Sequence, residues 1–114
     1  MPRRRKPHPL ARAVGARIKE LRKEKGLTLE KLAYEGSLGS KGHLSDLEKG
    51  LAVPNIQTLA ALAERLDVLA ADLLVLPQDD ERQRLIDLTR FLTPRQLARV
   101  ARDVEELVAR AKRS

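Results

Sequence analysis

The sequence predicts an all-α protein, and three observations predict it. Ala, Leu, Glu, Lys and Arg supply 67 of 114 residues, against 14 for Val, Ile and Thr together, a balance of helix formers over strand formers. Leu, Val, Ile and Phe supply 32, enough for the core of one small domain and clear of a disordered composition. Along the chain these residues recur at spacings of three and four, the period of a helix. One Phe, one Tyr and no Trp make the core aliphatic.

Seven helices are expected in order. Pro2, Pro7 and Pro9 among basic residues make residues 1–11 an extended, disordered basic arm. The first helix, about 12–25, has Val14, Ile18 and Leu21 as its stripe, with Arg17, Lys19, Glu20, Lys23 and Glu24 facing away and Gly26 closing it. Thr28 caps the second, with Glu30 in its first turn favoured by the helix dipole and Leu29, Leu32 and Ala33 apolar. Gly36-Ser37-Leu38-Gly39 breaks it. Ser40 caps a third helix that holds Leu44 and Leu47 inward and ends at Gly50. Asn55 caps a fourth with Leu59, Leu62, Ala63 and Leu66, and a short fifth, about 69–75, closes on Pro77. Asp79 and Asp80 begin a sixth, 79–92, with Leu85, Ile86, Leu88 and Leu92 apolar. Thr93-Pro94-Arg95-Gln96 starts the seventh with Thr as cap, Pro in the first turn and Gln completing a capping box. Leu97, Val100, Val104, Leu107 and Ala111 then run at 3-4-3-4 spacing, a heptad seam.

Charge is unevenly placed. Residues 1–27 hold ten Lys/Arg and two acids, net +8; residues 28–76 hold four and seven, net −3; residues 77–114 hold nine and seven, net +2. A basic arm on a near-neutral body points to a polyanion, nucleic acid first, with a solubilising tail as the alternative. Cysteine is absent, which removes disulfides, thiolate metal sites and a Cys nucleophile. His8 and His43 make no metal-ligand spacing, and no Ser/His/Asp set, carboxylate pair or phosphate loop is visible, so neither a metal, a cofactor nor an enzyme activity is expected. No apolar run approaches a membrane span, and the basic start lacks the apolar stretch of a secretory signal. The expectation is a soluble, reduced, cytoplasmic protein.

The two short helices of 28–49 with their glycine-containing break form a helix-turn-helix. For such a unit to read DNA, its second helix must enter a major groove about 12 Å wide with short polar groups on one face. Lys41, Gly42, His43, Ser45 and Asp46 lie off the Leu44/Leu47 face and meet that demand.

The wider run sharpens this. Ile18-Lys19-Glu20-Leu21-Arg22, then Gly26-Leu27-Thr28-Leu29-Glu30-Lys31-Leu32-Ala33, Leu44-Ser45-Asp46-Leu47-Glu48-Lys49-Gly50, Pro54 and Thr58-Leu59 closely resemble the lambda-repressor-like, Cro-type (xenobiotic-response-element) helix-turn-helix family over about 12–76. The resemblance implies a five-helix DNA-binding domain at 12–76, followed here by a two-helix extension at 77–114. It also implies a transcriptional regulator, usually dimeric and most often a repressor, working in the bacterial cytoplasm at the nucleoid. Three departures stand out. One residue more than the family's usual turn separates Ala33 from Ser45, Ser37 stands where the turn glycine is common, and Asp67 and Leu69 replace the usual Gly and Ser/Thr before the fifth helix.

By the same resemblance, Lys41 and His43 occupy the groove-facing first turn, Lys41 toward guanine or phosphate and His43 toward a base edge or phosphate. Ser45 is expected at a phosphate, and Ser40 and Lys49 are expected among the DNA-binding residues. Thr28 both caps its helix and offers the helix N-terminus to a phosphate. Gly42 either permits close approach to DNA or is incidental. Asp46 is either an acceptor for cytosine N4 or the partner of a nearby Lys. Arg3, Arg4, Arg5 and Lys6 of the arm are expected on phosphates, with reading of a minor groove as the alternative. The family's charge pair between late first helix and recognition helix falls on Arg22 and Glu48, a structural role.

For the seam Leu97, Val100, Val104, Leu107 and Ala111 two readings stand: a dimerisation element, favoured because family members read paired half-sites, or packing on the chain's own helices. The function expected is therefore a homodimeric, sequence-specific DNA-binding regulator on a palindromic operator. The alternatives are an antitoxin-type autorepressor that also binds a toxin, and a helix-turn-helix adaptor that binds protein without DNA. The acidic balance of 28–76 favours the adaptor, whereas the basic arm and Lys41 oppose it.

Overall fold

The computed structural model describes residues 6, 8–36, 38–74 and 80–113. They form α1 (Pro9–Glu24), α2 (Leu29–Glu35), α3 (Lys41–Glu48), α4 (Ile56–Leu66), a 3₁₀ segment (Ala70–Leu74), α5 (Glu81–Thr89) and α6 (Pro94–Arg113). The chain is all-helical, and among the described residues there is no strand.

Residues 9–74 close around one aliphatic core. Val14, Ile18 and Leu21 of α1, Leu32 and Ala33 of α2, Leu44 and Leu47 of α3, Leu62, Ala63 and Leu66 of α4, and Leu73 meet in a single buried cluster, with Ala52 from the loop before α4. Each short helix is held at its start by the cap its sequence supplies: Thr28 Oγ1 accepts from Lys31 N at 3.1 Å, Ser40 Oγ from His43 N at 3.1 Å, and Asn55 Oδ1 from Thr58 N at 2.8 Å. Such caps satisfy amides that helix geometry leaves without a partner.

Four sequence expectations need correction. The first helix begins at Pro9, not Arg12, so residues 9–11 belong to the folded body: proline is at home in a first turn, and His8 Nδ1 accepts from Leu10 N at 3.2 Å. Ala11 is buried there. Arg17, expected to face away, is only 6% exposed. It lies three residues after Val14 and four before Leu21, on the buried stripe, and its guanidinium finds polar partners inside. The fifth helix is a 3₁₀ segment that opens on Asp72 Oδ2 accepting from Leu69 N at 2.9 Å. The sixth stops at Thr89, short of Leu92. Arg90, Phe91 and Leu92 instead donate to carbonyls three residues back at 3.2–3.3 Å, a tight turn into the next helix. Asp80 caps that sixth helix, accepting from Arg82 N at 2.8 Å; Asp79 and Pro77 lie outside the described residues.

The departures from the family pattern are absorbed locally. The lengthened turn folds Leu38 back onto the core, its N–H donating to Ala33 O at 3.0 Å, and Gly39 supplies a φ of 80° just before the Ser40 cap. Ser37 is outside the described residues. Asp67 ends α4 in the left-handed region at φ 58°, the conformation that explains a glycine there.

The last two helices differ from the rest, since neither buries a residue. Thr93 and Gln96 form the reciprocal capping box at 2.9 and 3.1 Å and start α6, whose 20 residues span about 30 Å. No helix among the described residues is long and apolar enough to cross a membrane.

Candidate nucleic-acid interface

The helix-turn-helix unit is clamped at one end and open at the other. Leu44 and Leu47 are fully buried. α1 crosses the end of α3 so closely that a Cβ on Gly15 would lie 2.1 Å from Leu47 O, and one on Gly50 would lie 2.6 Å from Arg12 Cα. Arg22 locks the same end: its Nε and Nη2 donate to Glu48 Oε2 and Oε1 at 2.8 and 3.2 Å, and Nη1 donates to Leu27 O at 2.8 Å. The pair is buried and bidentate, the geometry that makes an Arg–carboxylate contact directional. Both Glu48 oxygens are thereby engaged by Arg22.

The first turn of α3 points the other way. Ser40, Lys41 and Gly42 are exposed and His43, Ser45 and Asp46 half-buried. Nothing lies within 4 Å of a Cβ built on Gly42, so this glycine faces open space, not a packed neighbour. Ser40 and Thr28 use their oxygens to accept capping hydrogen bonds, which leaves each O–H proton free to donate outward. Asp46 is engaged within the chain, while its carbonyl accepts from Leu51 N at 2.9 Å. Lys49 caps the far end of α3 and is exposed. Lys6 is exposed; Arg3, Arg4 and Arg5 lie outside the described residues.

Two neighbours escaped the sequence reading. Glu30 Oε1 accepts from Lys41 Nζ at 3.3 Å across the turn. Tyr34, one turn further along α2, is 88% exposed, and both border a surface depression with Gly39, Ser40 and Lys41. The i, i+4 spacing of Glu30 and Tyr34 placed them on one face of α2; that this face borders the start of α3 is a tertiary fact.

The C-terminal helices reach the body through charge. Arg17 Nε donates to Asp72 O at 2.9 Å, its Nη1 to Glu20 at 3.0 Å, and its Nη2 to Asp87 Oδ1 of α5. Arg90 donates to Asp87 at 3.0 Å and to Glu24 of α1 at 3.2 Å, and its guanidinium lies 4.6 Å from the centre of the Phe91 ring. Partial burial works to raise the Asp87 carboxyl, but the hydrogen bonds from Arg17 and Arg90 outweigh it and hold the group below its usual range. Arg90 is held above its ordinary value because Glu24 and Asp87 outweigh its own desolvation.

Between α5 and the body runs an open groove of about 690 Å³, lined in part by Leu66, Leu69, Ile86, Leu92 and Leu97. The seam continues from it: Leu97, Val104 and Leu107 are exposed, Val100 is half-buried, and Ala111 is exposed. Val108, four residues after Val104, is a further exposed apolar group that the strict heptad count passed over.

Residues 15–78 match the family model for a helix-turn-helix domain. The HTH-type transcriptional regulator DdrOP3 of Deinococcus deserti is 41% identical over 58 residues, 51% of this chain and 44% of its own length. The HTH-type transcriptional regulator SinR of Bacillus subtilis is 43% identical over 56 residues, 48% of this chain and 50% of its own. The chain spans about half the length of these curated relatives. Among solved structures, the SinR protein/SinI protein complex aligns at a TM-score of 0.60 and 30% identity, covering 84% of this chain and 98% of that one.

Proposed function

This chain belongs to the helix-turn-helix domain family, and on that premise we propose that it is a sequence-specific DNA-binding transcriptional regulator, a repressor acting as a homodimer on a palindromic operator in the cytoplasm. The observation that carries this reading is the asymmetry of α3. Its last turn is clamped by Gly15, Arg22 and Glu48, while its first turn presents Ser40, Lys41, Gly42 and His43 outward.

In this reading Lys41 and His43 reach base edges or phosphates, and Ser45 and Lys49 hold the backbone. Thr28 and Ser40 donate their free hydroxyl protons to phosphates, and the open position of Gly42 admits DNA close to the helix. Lys6 with Arg3, Arg4 and Arg5 adds sequence-independent attraction.

The dimer rests on the seam. A 20-residue helix that buries no residue fully and leaves most of its apolar stripe exposed is marginal in water unless something covers it, and two copies of α6 packed along Leu97, Val100, Val104, Leu107 and Ala111 would do so. The pairing would set the two recognition helices about one DNA turn apart, about 34–36 Å. A palindromic consensus recovered from a random pool of duplexes is the expected result; no enrichment at all would sink the DNA reading.

The likeness to a chain that occurs in a two-protein complex is in keeping with a second reading, in which a different protein, a toxin or another regulator, covers the exposed seam of α6. A chain that sediments as a monomer at tens of micromolar would favour that reading over the homodimer.

A further inference from the structure

We propose that Glu30 is a specificity-determining residue: a carboxylate that holds Lys41 in the free protein and opposes phosphate at the start of the recognition helix. The inference rests on the DNA-binding reading above and adds to it a residue of α2 for which helix dipole and capping give no such role.

Lys41 Nζ lies 3.3 Å from Glu30 Oε1, and the two side chains are 58% and 74% exposed. Exposed ion pairs contribute little to stability. The two helices are already joined by Leu32, Ala33 and Leu44 in the core, so the pair is not needed to hold the turn. What it does change is the charge at the exposed end of α3. Glu30, Ser40 and Lys41 border one depression, so a phosphate that approaches Lys41 must displace a carboxylate and then sit beside it.

Phosphate attraction is independent of sequence, whereas a guanine edge offers Lys41 two acceptors on the groove floor, away from the backbone. Glu30 therefore taxes the contact every duplex offers more than the contact only the correct base offers. The net −3 of residues 28–76 is consistent with a recognition region that leaves generic attraction to the arm.

The test uses the full chain as wild type, Glu30→Gln, Lys41→Gln and the double variant. Each is titrated against the duplex selected from the random pool and a scrambled duplex of equal length, from about 50 to 200 mM salt. Glu30→Gln is expected to tighten scrambled binding about 5-fold and to steepen its log K against log salt slope by up to about 0.9, one phosphate contact's worth. Binding to the selected duplex should tighten less, so the specificity ratio narrows. In the Lys41→Gln background the slope change should vanish. Unchanged or weaker scrambled binding overturns the proposal, as does equal tightening on both duplexes. A wild type that binds neither duplex overturns the DNA reading itself, a different result from a wild type that binds and a Glu30→Gln protein that behaves like it.

Discussion

Residues 9–74 and residues 80–113 are both leucine-rich helical segments, but they solve the burial problem differently. In the first, five elements turn their apolar stripes onto one another, and Ile18, Leu32, Leu44, Leu47, Leu62 and Leu73 lose all contact with solvent. In the second, two helices leave Leu85, Leu88, Phe91, Val104 and Leu107 exposed and are tied to the body by Arg17, Asp87, Arg90 and Glu24. Burial of apolar surface sets the stability of a domain, whereas a few ion pairs whose carboxylates stay partly exposed add less. The body is therefore expected to fold by itself, and the two C-terminal helices to owe their stability to whatever covers α6.

Damage to the body should produce the largest effects. Glu48→Ala strands the buried Arg22 guanidinium and is expected to cost about 3–5 kcal/mol. Gly15→Ala drives a methyl into the carbonyls of α3 and is expected to cost about 3 kcal/mol or more, at the upper end for overpacking. Thermal melts read both, and a melting temperature equal to wild type for either would remove the clamp from the account of α3.

Val104→Glu separates the two regions more sharply. On the proposed homodimer, the body's melting should stay as in wild type while the dimer falls apart and tight operator binding is lost, with weak binding to any duplex retained. Sedimentation decides it: a wild type that is already monomeric at tens of micromolar, or a Val104→Glu protein that stays dimeric, would overturn the seam as the dimer interface.

The tether comes next. Asp87→Asn should free α5 without unfolding the body; the carboxylate is partly exposed, but its loss leaves the buried Arg17 guanidinium with only Asp72 O and Glu20, so a cost of about 1–3 kcal/mol is expected. Amide exchange should quicken in 81–89 and stay slow in 14–21. Acid should lower the protection of 81–89 in the same way, measured against the intrinsic exchange rate at each pH. The folded-state pKa of Asp87 lies below the ordinary 3.8, so its contribution is fully present above about pH 4–5 and fades as pH falls through the lowered value. A loss of protection in α5 on going from neutral to pH 6 would contradict this sign.

The smallest change expected is a gain. Asp67→Gly relieves the left-handed φ of 58° and should stabilise the body by about 0.5 kcal/mol, since Asp tolerates that region better than most residues. A lower melting temperature would show that the Asp side chain contributes more there than its backbone costs.

What the sequence determined by itself is what local chemistry decides. The caps at Thr28, Ser40, Asn55 and Thr93 were readable because a side-chain oxygen and the amide it accepts from are three residues apart. The core leucines were readable because helix periodicity places them on one face whatever lies opposite. The start of α1 departs from the sequence expectation because Pro9, one of three prolines that mark an extended arm, stands where a first turn accepts it. Tertiary structure decided the rest. Arg17 became an interior group only because Asp72 O and Asp87 wait for it 55 and 70 residues away. Glu30 came to face Lys41 only because α3 packs back beside α2. The exposure of the α6 seam likewise depends on where α5 docks. Hydrogen bonds and ion pairs between distant residues leave no period in the chain, so their partners exist only once the helices have packed.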